Sequence, residues 1–293
     1  MLFTAKQLLR TMRPKQWVKN LLLYVGVVFD RHLLEWRPLL YATLGFIIFC
    51  AISSAVYFLN DLVDIEKDRQ HPKKRNRPLA SGKLKKEYAI AALILLVLVS
   101  VPSAFILRPS FGGIVLLYFL IQVAYSFYLK HIVIIDVFTL ASGFVLRAVA
   151  GALVIQVDVS PWLLVCTMLG ALFIGLAKRR HELVLLAEGA AEHRQILQEY
   201  SSELVQEMIS VVTSAVVVSY SLYTITYEKL PKNHLMALTI PFVIYGIFRY
   251  LYLIYRKDEG GSPEELLLKD VPLLACVGLW GLTSAVILYF GGS

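Results

Sequence analysis

Residues 39–69 read LLYATLGFIIFCAISSAVYFLNDLVDIEKDR. From Leu39 to Asn60 no side chain is charged, and then Asp61, Asp64, Glu66 and Asp68 follow within one short stretch. At a rise of about 1.5 Å per residue the apolar part covers about 33 Å as a helix, the thickness of a hydrocarbon core. The stretch therefore reads as a membrane-spanning helix with an acidic mouth.

The rest of the chain has the same character. Hydrophobic residues make up 58% of the 293, and the mean hydropathy of +0.66 lies beyond ordinary globular composition. Apolar blocks lie near 18–29, 39–60, 88–107, 111–129, 132–155, 161–177, 209–227, 235–254 and 271–290. Because backbone polar groups must pair internally in lipid, these blocks predict an all-α integral membrane protein, one domain over 1–293 with nine transmembrane helices. The first block is short and is expected to lean on Trp17 and on the amphipathic stretch Phe3 to Met12. It is expected to stay in the chain, since no small-residue cleavage site follows it. Cys50, Cys166 and Cys276 fall in separate apolar blocks without paired spacing, so free thiols are expected.

Alternating the loops puts twenty-two Lys and Arg on one side and only Arg31, Arg37, Arg108, Lys229 and Lys232 on the other. The positive-inside rule then predicts a cytoplasmic N-terminus and a C-terminus outside. The net charge of +8 is explained by topology and anionic membrane lipids. No nucleic-acid-binding motif accompanies it.

At about 100° per residue, Asp61, Asp64 and Asp68 project within about 60° of one another on a helix, Asn60 flanks them and Glu66 points away. Like charges on one helix face repel, and burial near lipid raises the cost of ionised carboxylates. A bound cation removes both penalties. Hard oxygen donors of this kind suit Mg²⁺, which binds through a few carboxylates together with substrate phosphates. The motif thus predicts a diphosphate clamp. Zinc is disfavoured, since no His or Cys stands at a ligating spacing. The continuation from Arg69 to Gly82 breaks the helix at Pro72 and Pro78 and supplies arginines and lysines to grip phosphate.

Asn60-Asp61-x-x-Asp64-x-x-x-Asp68-Arg69 followed by Arg77-Pro78-Leu79-Ala80-Ser81-Gly82 resembles the UbiA-type intramembrane prenyltransferase superfamily. The stretches Arg13-Pro14-Lys15-Gln16-Trp17-Val18-Lys19-Asn20, Tyr125-Ser126 to Lys130, Asp136, and Lys178-Arg179-Arg180-His181-Glu182 resemble its decaprenyl-phosphate phosphoribosyltransferase branch. That resemblance implies a UbiA-like bundle, phosphoribosyl diphosphate as donor, polyprenyl phosphate as acceptor and supply of an activated pentose for envelope glycans. Typical prenyl transferases of the superfamily carry a second Asp-rich motif after the sixth span. Here no aspartate lies between Lys178 and Arg194, and a basic cluster stands in its place with Glu182 as the nearest acid. A donor with an extra 5-phosphate and a phosphate acceptor would call for that positive charge.

On this reading Asp61, Asp64 and Asp68 are the catalytic carboxylates, and together with Asn60 they hold Mg²⁺. Arg69, Lys73, Arg77, Lys130, Lys178 and Arg179 are candidates for the donor phosphates. Lys15 and Lys19 are candidates for the lipid phosphate. Asp136, an intramembrane carboxylate, is a functional candidate by default, or else a structural partner for Lys130 or a nearby hydroxyl. Tyr125, Glu182, His71 and His181 are further candidates. Arg147, eleven residues beyond Asp136, stands about 16 Å along the helix and is out of its direct reach. The loops 61–87 and 178–208 are expected to form the active-site mouth, with an amphipathic helix from Lys178 to Gln206 as a cap. A homo-oligomer is allowed and not required. The competing readings are an ordinary isoprenyl transferase and a transporter or lipid-binding protein with Asp136 and Arg147 on its path.

Overall fold

In the computed structural model, residues 2–71, 74–187, 195–257, 266–267 and 269–291 are described. Where backbone groups have no water to bond, the apolar blocks close their own hydrogen bonds as helices. These are α1 (Leu2–Met12), α2 (Val25–Phe29), α3 (Trp36–Val63), α4 (Ile65–Gln70), α5 (Lys86–Leu107), α6 (Pro109–Phe127), α7 (Ile135–Val154), α8 (Pro161–Ala187), α9 (Ser202–Thr226), α10 (Ile240–Arg256) and α11 (Val271–Phe290). Among the described residues there is no strand, and eight helices are long and apolar enough to cross a membrane. The chain is a multi-pass membrane protein.

The first apolar block departs from the predicted α-helical span. Pro14–Tyr24 is a 3-10 helix, continued by the short α2. At about 2.0 Å per residue for the 3-10 part and about 1.5 Å for α2, the segment still extends about 30 Å. Its first residues lie beside the end of α3, where Arg13 meets Asp61. Its last residues lie near the opposite end, where the Leu33 N–H donates to Tyr289 Oη at 2.8 Å. Glycines let it press against α7: a Cβ on Gly151 would lie 2.1 Å from the Leu23 carbonyl oxygen, and one on Gly26 would lie 3.3 Å from Ala152 Cα. Small residues at such contacts are how helices approach closely in lipid.

Arg147 fastens the same segment from inside. Its Nε donates to Asn20 Oδ1 at 2.7 Å, Nη1 to the Gly143 carbonyl at 2.7 Å and Nη2 to Tyr118 Oη at 2.9 Å. The guanidinium also lies 4.8 Å from the Tyr118 ring centroid, a cation–π distance. Asn20 in turn donates to Cys50 Sγ and Ser53 Oγ, each at 3.3 Å. One buried cation thereby ties the first segment, α3, α6 and α7 together. Its hydrogen bonds run to neutral acceptors and not to Asp136.

At the charged end, α8 continues as helix through Ala187, so residues 178–187 extend a span and are not a loop. The expected cap lies partly in 188–194, outside the described residues. The part that is described, the 3-10 turn Gln195–Glu199 and Tyr200, is packed down: Ile196, Leu197 and Tyr200 are buried in one cluster with Leu183, Val205 and Leu253. Ser201 then caps α9, its side chain accepting from the Leu204 N–H at 3.1 Å.

Because the Gly151 contact is backbone against backbone, Gly151→Leu must push the first segment away from α7. A loss of at least about 3 kcal/mol is expected in detergent-solubilised thermal or denaturant unfolding. Gly113→Leu, where an added Cβ meets nothing within 4 Å, should stay within about 0.5 kcal/mol. Equal effects would show that the contact does not hold the bundle.

Candidate active site

The acidic motif sits where α3 ends. Asp64 has φ −97° and ψ 11° and separates α3 from α4. Helical hydrogen bonds nevertheless run through the break, from the Asp64 N–H to the Asn60 carbonyl at 3.0 Å and from the Asp68 N–H to the Asp64 carbonyl at 2.8 Å. The chain stays helical through the kink, but the three carboxylates have different partners. Asp61 and Asp68 are both buried and share one guanidinium: Arg77 Nη1 donates to Asp61 Oδ1 at 3.1 Å and to Asp68 Oδ2 at 2.6 Å. Asp64 turns to the α6–α7 connection, where buried Lys130 donates to its Oδ1 at 2.7 Å. Asn60 Oδ1 accepts from Ser126 Oγ at 2.5 Å.

Arg77 is presented by an anchored turn. The Ser81 N–H bonds the Arg77 carbonyl at 2.9 Å and the Leu84 N–H bonds the Pro78 carbonyl at 2.9 Å. Gly82 takes the left-handed φ of 72° that glycine adopts without a Cβ penalty. Leu79 and Leu84 are buried against Phe58, Ile65 and Ala89. That apolar plug fixes the basic loop against α3 and α5.

One basic residue of the cluster was not among the site residues expected from sequence. Arg13 Nη2 donates to Asp61 Oδ1 at 2.5 Å, and its guanidinium lies 4.7 Å from the Tyr57 ring centroid. Its position in the charged motif after α1 was visible, but the pairing with Asp61 is a contact between residues far apart in the chain.

A second buried cluster gathers around the start of α7. Asp136, with no exposed surface, accepts from Arg179 Nε at 2.8 Å through Oδ2 and from Tyr200 Oη at 2.7 Å through Oδ1. Arg179 also bonds Glu182. Ile134, just before α7, holds φ 69° and ψ −46°, an unfavourable left-handed conformation for a β-branched residue. The Ile135 N–H closes a tight turn onto the Val133 carbonyl at 2.8 Å, and the Ile134 N–H donates to Tyr200 Oη at 2.7 Å. Burial, and then the bond to Asp136, push the Tyr200 hydroxyl well above its ordinary pKa, which keeps it a donor. Asp136 is therefore partnered by a guanidinium and a hydroxyl. Of the two structural partners foreseen from sequence, the nearby hydroxyl is found in Tyr200, whereas Lys130 goes to Asp64.

The remaining candidates divide by exposure and commitment. Arg180 donates to the Ile254 carbonyl at 2.5 Å near the end of α10 and stacks 4.1 Å from the Tyr255 centroid, leaving Lys178 as the exposed member of the basic cluster. Tyr125 is buried beside Arg179. Arg69 faces outward, bonding Glu66 at 2.9 Å and 3.1 Å and the Ala80 carbonyl at 3.3 Å. Lys15 is exposed and Lys19 half-buried on the first 3-10 helix. Trp17, expected as an interface anchor, turns its Nε1–H inward to Ser54 Oγ at 3.1 Å. Burial and then Lys74 hold the His71 imidazole below its usual pKa, so it is neutral near pH 7. Lys73 lies outside the described residues.

The donor set fits Mg²⁺ chemically, being an amide oxygen and three carboxylates without sulfur or imidazole. As the side chains stand, no three acidic, His or Cys groups among the described residues form a metal-holding cluster. A positively charged nitrogen, Arg77 Nη1, stands between Asp61 and Asp68.

The chain matches the UbiA prenyltransferase family over residues 21–268. It is 32% identical to decaprenyl-phosphate phosphoribosyltransferase of Mycolicibacterium smegmatis, over 97% of this chain and 92% of that protein. It is 31% identical to the Corynebacterium glutamicum protein of the same name, over 94% of this chain and 85% of the relative. Its fold is similar to that of a UbiA homologue from Archaeoglobus fulgidus bound to GPP and Mg²⁺, with a TM-score of 0.74 at 20% identity, covering 96% of this chain and 99% of the other. The matched span and the relatives of nearly equal length place the acidic kink, the anchored Arg77 turn and the bundle around them in one lineage: this chain belongs to the UbiA prenyltransferase family.

Proposed function

We propose that this chain transfers 5-phosphoribose from phosphoribosyl diphosphate to a polyprenyl phosphate, of the decaprenyl class, and releases pyrophosphate. The observation that carries this reading is the distribution of charge. The acidic motif is kept at Asp61, Asp64 and Asp68, while the place of a second acidic motif holds Lys178, Arg179 and Arg180. The relatives that match nearly the whole chain bear the corresponding name.

Asn60, Asp61, Asp64 and Asp68 would hold Mg²⁺, which when bound neutralises the diphosphate and favours its departure. Arg77 and Lys130, already beside these carboxylates, grip the donor's diphosphate oxygens. Lys178 at the rim receives the 5-phosphate, and Arg179 is held in place by Asp136 and Glu182. Lys15 and Lys19 meet the lipid phosphate while its chain lies among the apolar helices. The sugar C1–oxygen bond breaks with its electron pair leaving on pyrophosphate, and an acceptor phosphate oxygen supplies the pair that forms the new bond. No base is required because the nucleophile is already an anion. Orientation and fixed charge then account for the acceleration.

We further propose nine crossings, with Pro14–Phe29 as the first, a cytoplasmic N-terminus, the active site facing the cytoplasm of the cell membrane and the C-terminus outside. The product would feed envelope glycan synthesis as an activated pentose. Single cysteines at Ser81 and Lys232, in a background without Cys50, Cys166 and Cys276, test the orientation with an impermeant maleimide on intact cells. Lys232→Cys should label and Ser81→Cys should label only after lysis; the reverse pattern would overturn the topology.

Purified protein given Mg²⁺, decaprenyl phosphate and phosphoribosyl diphosphate labelled in the ribose should yield a labelled lipid, and excess chelator should abolish it. Transfer from an isoprenyl diphosphate with none from the labelled sugar would replace this reading by the ordinary prenyl transferase.

Asp64→Asn and Asp68→Asn should each lower kcat/KM by at least about 100-fold, on the scale of losing one charge-stabilising group. Glu66→Gln, which alters an exposed side chain paired with Arg69, should stay within about twofold. Steady-state kinetics of the three variants decide whether the buried face is the one that acts.

A further inference from the structure

Asp61 is held from two directions. Arg77 reaches it from the loop after α4, and Arg13 reaches it from the junction of α1 with the first 3-10 helix, both on Oδ1. Arg13 sits at φ 54° and ψ 62°, a left-handed conformation uncommon for a side chain of its size. The contacts around it enforce that backbone. Ser54 Oγ accepts from Trp17 Nε1 at 3.1 Å and shares its proton between the Cys50 carbonyl at 2.7 Å and the Met12 carbonyl at 3.2 Å. On α1, Leu8 and Met12 pack against the cluster that contains Leu79 and Leu84. The first segment is thus built to deliver this one guanidinium to Asp61.

The ion pairs of the motif balance. Among the described residues, Asp61, Asp64 and Asp68 pair with Arg13, Arg77 and Lys130, three negative groups with three positive ones. A divalent cation entering alone would add two positive charges beside side chains that are already positive. A diphosphate, carrying about three negative charges, offers those same side chains another partner and removes the repulsion. We infer that Arg13 is an exchangeable counter-ion of Asp61 that turns to the diphosphate when it arrives, so that metal binding depends on the diphosphate. The inference rests on the reading of Asn60 to Asp68 as the metal and diphosphate motif. It adds a positioning residue, from the N-terminal segment, that neither the motif nor its basic tail contains.

Linkage makes this measurable without turnover, since diphosphate must raise metal affinity by the factor by which metal raises diphosphate affinity. Mn²⁺ binding to the full-length protein in detergent is followed by electron paramagnetic resonance, alone and with pyrophosphate. Pyrophosphate should tighten Mn²⁺ at least about tenfold in the unaltered protein, within the usual range of coupling. Arg13→Met should tighten Mn²⁺ alone several-fold, weaken pyrophosphate binding and shrink the coupling, while Arg13→Lys keeps most of it. A purely structural arginine would weaken both ligands together or change neither, and either result overturns the inference. So does Mn²⁺ binding to the unaltered protein that is equally tight with and without pyrophosphate. Should Arg13→Met fail to fold, Arg13→Gly carries the test, because glycine is at home at φ 54°. Neither probe contains sugar or lipid, so absence of phosphoribosyl transfer would leave this inference standing, whereas absence of any Mn²⁺ and pyrophosphate binding would sink the motif and the inference together.

Discussion

The shared guanidinium of Arg77 is the contact on which the charged end of the molecule depends. Asp61 closes a helix that crosses an apolar layer, and Asp68 lies one kink further on. Both are buried, and buried carboxylates are tolerated only when paired and hydrogen-bonded. With Arg13 completing the pairing of Asp61, one nitrogen, 3.1 Å from the first and 2.6 Å from the second, serves both. It also ties α3 and α4 to the loop after them. That loop is held in turn by Leu79 and Leu84 in an apolar pocket, so packing and electrostatics determine the same conformation.

The bundle has a second fixed charge, deeper in the apolar layer. Arg147 reaches Asn20, Tyr118 and the Gly143 carbonyl and sets where the first segment lies. The Gly151 contact sets how closely it lies. Between them, the 3-10 helix has little freedom to slide, and Arg13 at its entrance inherits that rigidity. The geometry around Asp61 therefore depends on packing reaching well into the apolar layer.

Local pattern made much of this legible. The blocks ending in Val63, Leu107, Phe127, Val154, Thr226 and Phe290 follow from uninterrupted apolar runs, and the common face of Asp61, Asp64 and Asp68, with Glu66 outside it, follows from helical period. The first block is helical as expected but mostly 3-10, whose greater rise lets fewer residues extend as far. The basic end of α8 was taken for a loop because charge was read as a boundary. In fact Arg179 and Arg180 are bound within the bundle, by Asp136, Glu182 and the Ile254 carbonyl, so charge did not require solvent. The pairings of Arg13 with Asp61 and of Tyr200 with Ile134 and Asp136 join residues whose separations, 48 and 66 or 64 positions, leave no periodic trace.

The internal pairing also refines how charge selects a substrate in this family. Replacement of an acidic segment by Lys178-Arg179-Arg180 suggests a site with three additional cations. The structure divides them: Arg179 is compensated by two carboxylates, Arg180 binds a backbone carbonyl at the end of α10, and Lys178 alone among the three is exposed. Arg179 therefore brings no net positive charge of its own, and Lys178 is the exposed basic residue of the three. A guanidinium locked against Asp136 loses little conformational freedom when a phosphate arrives, whereas a lysine must be ordered at some entropic cost. Asp136, buried and remote from the acidic motif in sequence, thus fixes the position of one guanidinium of the basic segment.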